Sequence, residues 1–167
     1  GKAIRFQEDK IRSTGRKTMG VRGIRMSFKD DYVVGMLVVK REGTIFVASN
    51  KGYGKRTDIE AYRTQTRGGK GSYTMKTSDK VGKLVAIMEV VDDDDIMIIT
   101  NQGVMIRQQV EDINTIGRNT QGVRLLKLDD SAFISSITKV LKDEVQDEDE
   151  ESENNQSSET IEKLSEE

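Results

Sequence analysis

A chain of 167 residues, with 27 Lys and Arg against 29 Asp and Glu, has room for one ordinary domain and a tail. It lacks cysteine and histidine, which removes disulfides, thiol nucleophiles, His-based zinc sites and the commonest general acid–base group. No secretory leader or bilayer-length apolar run is visible, so a soluble, membrane-free, cytoplasmic protein is expected; a start at Gly1 rather than Met reads as a piece of a longer one.

The predicted elements are short strands. Ala3–Phe6 and Gly20–Met26 come first, followed by the β-branched run Tyr32–Val39. Thr44–Ser49 leads into Asn50-Lys51-Gly52, where glycine suits the positive-φ corner of a hairpin. Gly71–Met75 and Val81–Val91 follow. Asp92–Asp95 reads as a solvated turn, because it lacks the alternating ligands, the glycine and the closing Glu of a calcium loop. Ile96–Thr100, the loop Asn101-Gln102-Gly103, Val104–Arg107 and Gly122–Leu126 complete the series.

Sliding the chain against itself by 51 residues orders these pieces. Gly1, Gly52 and Gly103 align, as do Gly20, Gly71 and Gly122. Arg5, Arg56 and Arg107 form one basic column, and Arg16, Arg67 and Arg118 another. Ile11, Tyr62 and Ile113 share an apolar column, which makes Tyr62 a core residue. About four strands per repeat of about 50 residues is the proportion of a propeller blade. The expected fold is all-β, with residues 1–141 holding three such blades, fewer than the 4–8 that close a propeller.

Charge is divided along the chain. Residues 1–141 carry 25 Lys and Arg against 17 Asp and Glu, whereas residues 142–167 carry 2 against 12. The acidic segment has too few apolar side chains for a core and is expected to be a disordered tail able to compete for the basic surface.

The repeated arginines point to polyanion binding: equal spacing would set them at one height around the outside, with Lys17, Arg22, Lys55, Lys70 and Arg124 thickening the track. The loop Gln65-Thr66-Arg67-Gly68-Gly69-Lys70-Gly71 suits phosphate, since three glycines let backbone N–H groups approach closely. A nucleotide-binding P-loop is excluded: Gly54-Lys55-Arg56-Thr57 and Gly69-Lys70-Gly71-Ser72 lack the required first glycine and the hydroxyl after Lys. None of Tyr32, Tyr53, Tyr62 and Tyr73 stands with the acidic, metal-holding cluster a topoisomerase nucleophile needs; Tyr53 and Tyr73 could lie against sugar-phosphate. No metal site is expected.

Val21-Arg22-Gly23-Ile24-Arg25, Asn50–Thr57 and Gly117-Arg118-Asn119-Thr120-Gln121-Gly122-Val123-Arg124 resemble the later repeats of the C-terminal domain of the DNA gyrase A protein. The resemblance implies the last three blades of a six-bladed β-pinwheel, in which neighbouring blades exchange strands. It implies a non-catalytic part that wraps double-stranded DNA so that the enzyme introduces negative supercoils. Gln65–Gly71 resembles the family's Gln-Arg-Arg-Gly-Gly-Lys-Gly box with Thr66 in place of Arg, and with one repeat following it corresponds to the fifth blade. The remaining parts implied are the rest of the gyrase A protein and the gyrase B protein in an A2B2 complex, with ATP and magnesium used there, at the bacterial nucleoid. Two alternatives are the equivalent domain of topoisomerase IV and a propeller-like scaffold that binds an acidic protein.

Overall fold

The computed structural model describes residues 1–140; the acidic segment 142–167 lies outside the described residues, as does position 141. Nine strands are present among the described residues: β1 (Lys2–Ala3), β2 (Thr44–Ser49), β3 (Tyr53–Asp58), β4 (Ser72–Tyr73), β5 (Leu84–Val90), β6 (Asp95–Thr100), β7 (Met105–Gln109), β8 (Val123–Arg124) and β9 (Ile134–Val140). The two hairpins, β2–β3 and β6–β7, turn at Gly52 and Gly103, both in the left-handed region (φ +82° and +81°) that L side chains avoid.

The central sheet has the order β5-β2-β3-β8, and every pair in it is antiparallel. Its outermost strand, β8, belongs to the following repeat, and β4 reaches back to β1 in the same way. The register repeats too: Lys2 faces Tyr73 and Ala3 faces Ser72, as Tyr53 faces Arg124 and Gly54 faces Val123. At both seams, therefore, a repeat lends an edge strand to the one before it. This is the propeller-like all-β architecture expected from the spacing, with the strand exchange that the family resemblance implies.

Period-2 alternation in β2 divides the core between the blades. Ile45 and Val47 pack with Tyr62, Met75 and Val81, whereas Phe46 and Ala48 pack with Val90, Ile96, Ile98, Val110, Ile113 and Ile134. With both faces covered, β2 is the most deeply buried strand, and each large apolar side chain it hides contributes about 1.5–3 kcal/mol. Stacking, not any single blade, makes the core.

Two expected strands did not form as expected. Tyr32–Val39 aligns with β5 and β9, yet it has no strand pairing; β5 and β9 pair with β2 and β6, and no described hairpin lies beside Tyr32–Val39. Tyr32, Val33, Met36 and Val38 stand more than half exposed as a result. Gly20–Met26 likewise stays outside any strand, held by two backbone bonds to the loop of the next repeat. Strand propensity without a partner edge does not make a strand.

Asp92–Asp95 does sit at a turn, but it is not simply solvated. Asp94 and Asp95 are buried: Arg41 and Lys139 approach Asp94, and Arg107 holds Asp95 at 2.6 Å. Burial by itself would raise the Asp94 pKa; hydrogen bonds from the Arg41 guanidinium and the Val91 N–H outweigh it and hold the carboxyl below its ordinary value.

Candidate nucleic-acid interface

The column Arg5, Arg56 and Arg107 does not form the outward track expected of it. Arg5 donates to the carbonyls of Ile59 and Tyr62 and pairs with Glu60. Arg56 is buried, donates to the Ile113 carbonyl at 2.6 Å and pairs with Asp92. Tyr62 and Ile113 are 51 residues apart, so the same arginine closes the same seam twice. Arg107 remains exposed but is committed to Asp95. At Arg5 and Arg56 the equal spacing marks a repeated joint between blades, whereas Arg107 pairs within its own sheet.

Lys55 is also withdrawn from solvent. It has no exposed surface, and its Nζ donates to the carbonyls of Gly117 (2.7 Å) and Arg118 (2.5 Å) and to Thr120 Oγ1 (2.9 Å), with the Thr120 carbonyl at 3.5 Å. Burial, reinforced by the nearby Arg118 charge, pushes the ammonium down to about 8.

The second column behaves differently. Arg67 donates to the Arg22 carbonyl and Arg118 to the Tyr73 carbonyl, again equivalent partners in the preceding repeat. Arg67 also donates through Nε to the Lys10 carbonyl at 3.0 Å, and both guanidiniums stay partly exposed. Arg16 and Lys17 are fully at the surface in the first repeat's copy of the loop.

The loops that carry these arginines are fixed by seam bonds. Gly68 N–H donates to the Gly23 carbonyl and Arg25 N–H to the Gly69 carbonyl, and Lys76 N–H donates to the Thr120 carbonyl one repeat later. Gly71 (φ +70°) and Gly122 (φ +80°) lie where a Cβ would come within 2.5 Å of the Ala3 oxygen and 2.6 Å of the Gly54 oxygen, so only glycine lets the outer strand come this close. In the loop Gln65–Gly71, Gly68 takes a positive φ, Gln65 donates to Ser72 and Lys70 is exposed, while Thr66 accepts from the Gly69 N–H.

These bonds tie cation-bearing segments of successive repeats together. The Arg22 carbonyl accepts from Arg67 and the Tyr73 carbonyl from Arg118, with Lys70 exposed on the loop before β4 and Arg124 on β8. Two cation–aromatic pairs lie across the exchanged strands. Lys2 lies 5.5 Å from the Tyr73 ring, and Arg124 lies 5.7 Å from Tyr53, which Lys80 approaches from 5.9 Å. Arg124 also donates to the Tyr53 hydroxyl and lowers its pKa. Tyr62, buried and bonded to Thr74 at 2.6 Å, is a core residue as expected, with the Arg118 guanidinium 5.8 Å from its ring.

Lys2, Arg25 and Lys80 were not singled out as site residues. A signal existed: in the two aligned columns, cation and aromatic change places, Lys2 with Tyr73 becoming Tyr53 with Arg124. No cluster of acidic residues among the described ones could hold a metal ion, and no described helix is long and apolar enough to cross a membrane.

A family model described as the DNA gyrase C-terminal domain, a β-propeller, matches residues 1–40, 43–90 and 94–140, one stretch per repeat. The chain belongs to this gyrase family. The DNA gyrase A protein of Staphylococcus aureus is 42% identical over 160 residues, covering 95% of this chain and 18% of that protein. Its Staphylococcus epidermidis counterpart is 44% identical over 139 residues, covering 82% and 16%. The chain thus spans less than a fifth of the curated relatives it matches. A solved gyrase A C-terminal domain superposes with a TM-score of 0.75 at 27% identity, over 84% of this chain and 48% of that one. The C-terminal domain of a topoisomerase IV shares the fold, with a TM-score of 0.77 at 23% identity over 84% and 44%.

Proposed function

We propose that these gyrase-family repeats bind double-stranded DNA without reading its bases and bend it along the line from Arg22 through Arg67, Lys70 and Arg118 to Arg124. The repeated anchoring of Arg67 and Arg118, each on a carbonyl of the preceding repeat and each partly exposed, carries the reading. These bonds hold the two arginines in place and leave part of each guanidinium for phosphate. Lys2, Arg16 and Lys17 extend the line. The chain acts as a non-catalytic part of a cytoplasmic DNA gyrase A protein, working with the rest of that protein and with gyrase B as A2B2. ATP and magnesium serve those other parts, and DNA bent over this surface gives strand passage its direction towards negative supercoils.

The test is fluorescence anisotropy with random-sequence duplex over a salt series. Log affinity should fall against log salt with a slope of about −0.9 per phosphate contacted. Replacing Arg67, Lys70, Arg118 and Arg124 by Gln should flatten the slope by about 0.9 for each contact removed. An unchanged slope, or affinity for an acidic protein with none for duplex, overturns the proposal.

A further inference from the structure

Among the described residues, Lys55 is the one cation with no exposed surface, and its repeat equivalents are Ile4 and Ile106. In the first seam, Ile4 lies against Gly69 of the equivalent loop, the Cδ1 atom 3.5 Å from where a Cβ would sit. A hydrocarbon therefore suffices to pack this position. Burying an ammonium instead costs desolvation, which only good partners offset. Lys55 finds those partners in the backbone of Gly117–Thr120, whose oxygens turn inward around its Nζ.

The two loops differ in what else holds them. Gln65–Gly71 is rich in glycine and is bonded by Gly68 N–H and by Gly69 to the segment Gly23–Arg25. Its counterpart has Asn119 at the place of Gly68, and the only positive-φ residue it retains is Gly122. Thr120 Oγ1 accepts from Lys55 and also lies 2.8 Å from the Gly117 carbonyl, so the ammonium joins both ends of the turn.

We infer that Lys55 is a positioning residue for the DNA-contacting loop Gly117–Gly122: by gathering the Gly117, Arg118 and Thr120 oxygens from inside, it fixes the backbone from which Arg118 and exposed Asn119 meet phosphate. The inference rests on the DNA reading above. Lys55 itself touches no DNA. Its single charge also sits behind the loop, adding to the positive potential at Arg118 without occupying surface.

The absence of cysteine permits a clean test in the full 167-residue chain. A Lys55→Cys variant is alkylated while unfolded, either to an S-aminoethyl chain that restores the ammonium or to a neutral S-propyl chain of similar length, and then refolded. Two quantities are read: anisotropy with random-sequence duplex, and amide exchange at Lys76, whose N–H donates to Thr120, with Arg25 of the other seam as internal control. The aminoethyl form should match the wild type. The propyl form should bind roughly tenfold more weakly and exchange faster at Lys76, with Arg25 unchanged. Lys55→Ile, the residue of the sister repeats, should behave like the propyl form. Equal DNA affinity and equal exchange in the charged and neutral forms would overturn the inference. If the wild-type chain bound no duplex, the DNA reading would fall, and exchange at Lys76 would decide the tether by itself.

Discussion

The seam between the first and second repeats and the seam between the second and third use one plan with different depth. Both carry an isolated parallel bridge, Arg5 with Thr64 and Arg56 with Thr115, and both carry an arginine on equivalent carbonyls. In the first seam that arginine is 29% exposed at its side chain and its acidic partner Glu60 is 82% exposed; in the second the arginine is only 9% exposed. The second seam adds Lys55 on the loop oxygens and Thr57 Oγ1 donating to the Ile116 carbonyl, where the first has Ile4 and Phe6. A repeat conserves the path of the backbone, while the polarity of the joint is set locally by whatever covers it.

The comparison breaks most visibly at the arginines. Arg56→Met should destabilise the chain by about 3 kcal/mol, because it strands the buried Ile113 carbonyl and removes a charge-assisted bond. Arg5→Met should cost under about 1 kcal/mol, since the guanidinium is part-exposed and its acidic partner Glu60 lies in water. Urea denaturation of both variants checks this. Equal losses would mean that burial does not distinguish the seams.

Glycine sharpens the same contrast by a smaller amount. Gly122→Ala forces a Cβ against the Gly54 carbonyl at positive φ and should cost about 2 kcal/mol or more. Gly20 has a similar φ of +73° but nothing within 4 Å of its Cβ position, so Gly20→Ala should cost about 1 kcal/mol from backbone strain alone. Thermal melts that rank the two equally would remove the close approach from the account of strand exchange.

The architecture was legible because the 51-residue spacing is carried by apolar and glycine positions, which answer to backbone and core alike. The use of the arginines was not. Both columns anchor on main-chain oxygens, those of Tyr62, Ile113, Arg22 and Tyr73, which leave no mark in side-chain identity, and only the acidic partners of Arg5, Arg56 and Arg107 set the first column apart. Asp92–Asp95 was misread for a related reason. Its partners Arg41, Arg56 and Arg107 lie in three repeats, and the run of four acids is repeated in neither other copy, so the alignment gives it no role. The cation–aromatic pairs were legible in principle, since Lys2 with Tyr73 and Tyr53 with Arg124 occupy the same two columns.

The smallest effect concerns the proton on Lys55. Its folded pKa is depressed to about 8 from an ordinary 10.5, so between those values the unfolded chain binds more protons than the folded one. Stability from this group is therefore fully present above about 10.5 and is lost as pH falls towards and through about 8. From pH 8 to pH 9 the gain is about 1 kcal/mol, with two N–H donors still available to the loop oxygens. Other lysines and the tyrosines titrate nearby, so the quantity to measure is the stability difference between wild type and Lys55→Ile at each pH. That difference should move in favour of the wild type as pH rises from 8 to 9. A flat difference would mean that the carbonyl oxygens hold the ammonium as well as water does, and a falling one that they hold it better. Either result would leave the second seam's greater depth standing on Arg56 and Thr57 and would remove the cost assigned to burying a charge beneath the loop.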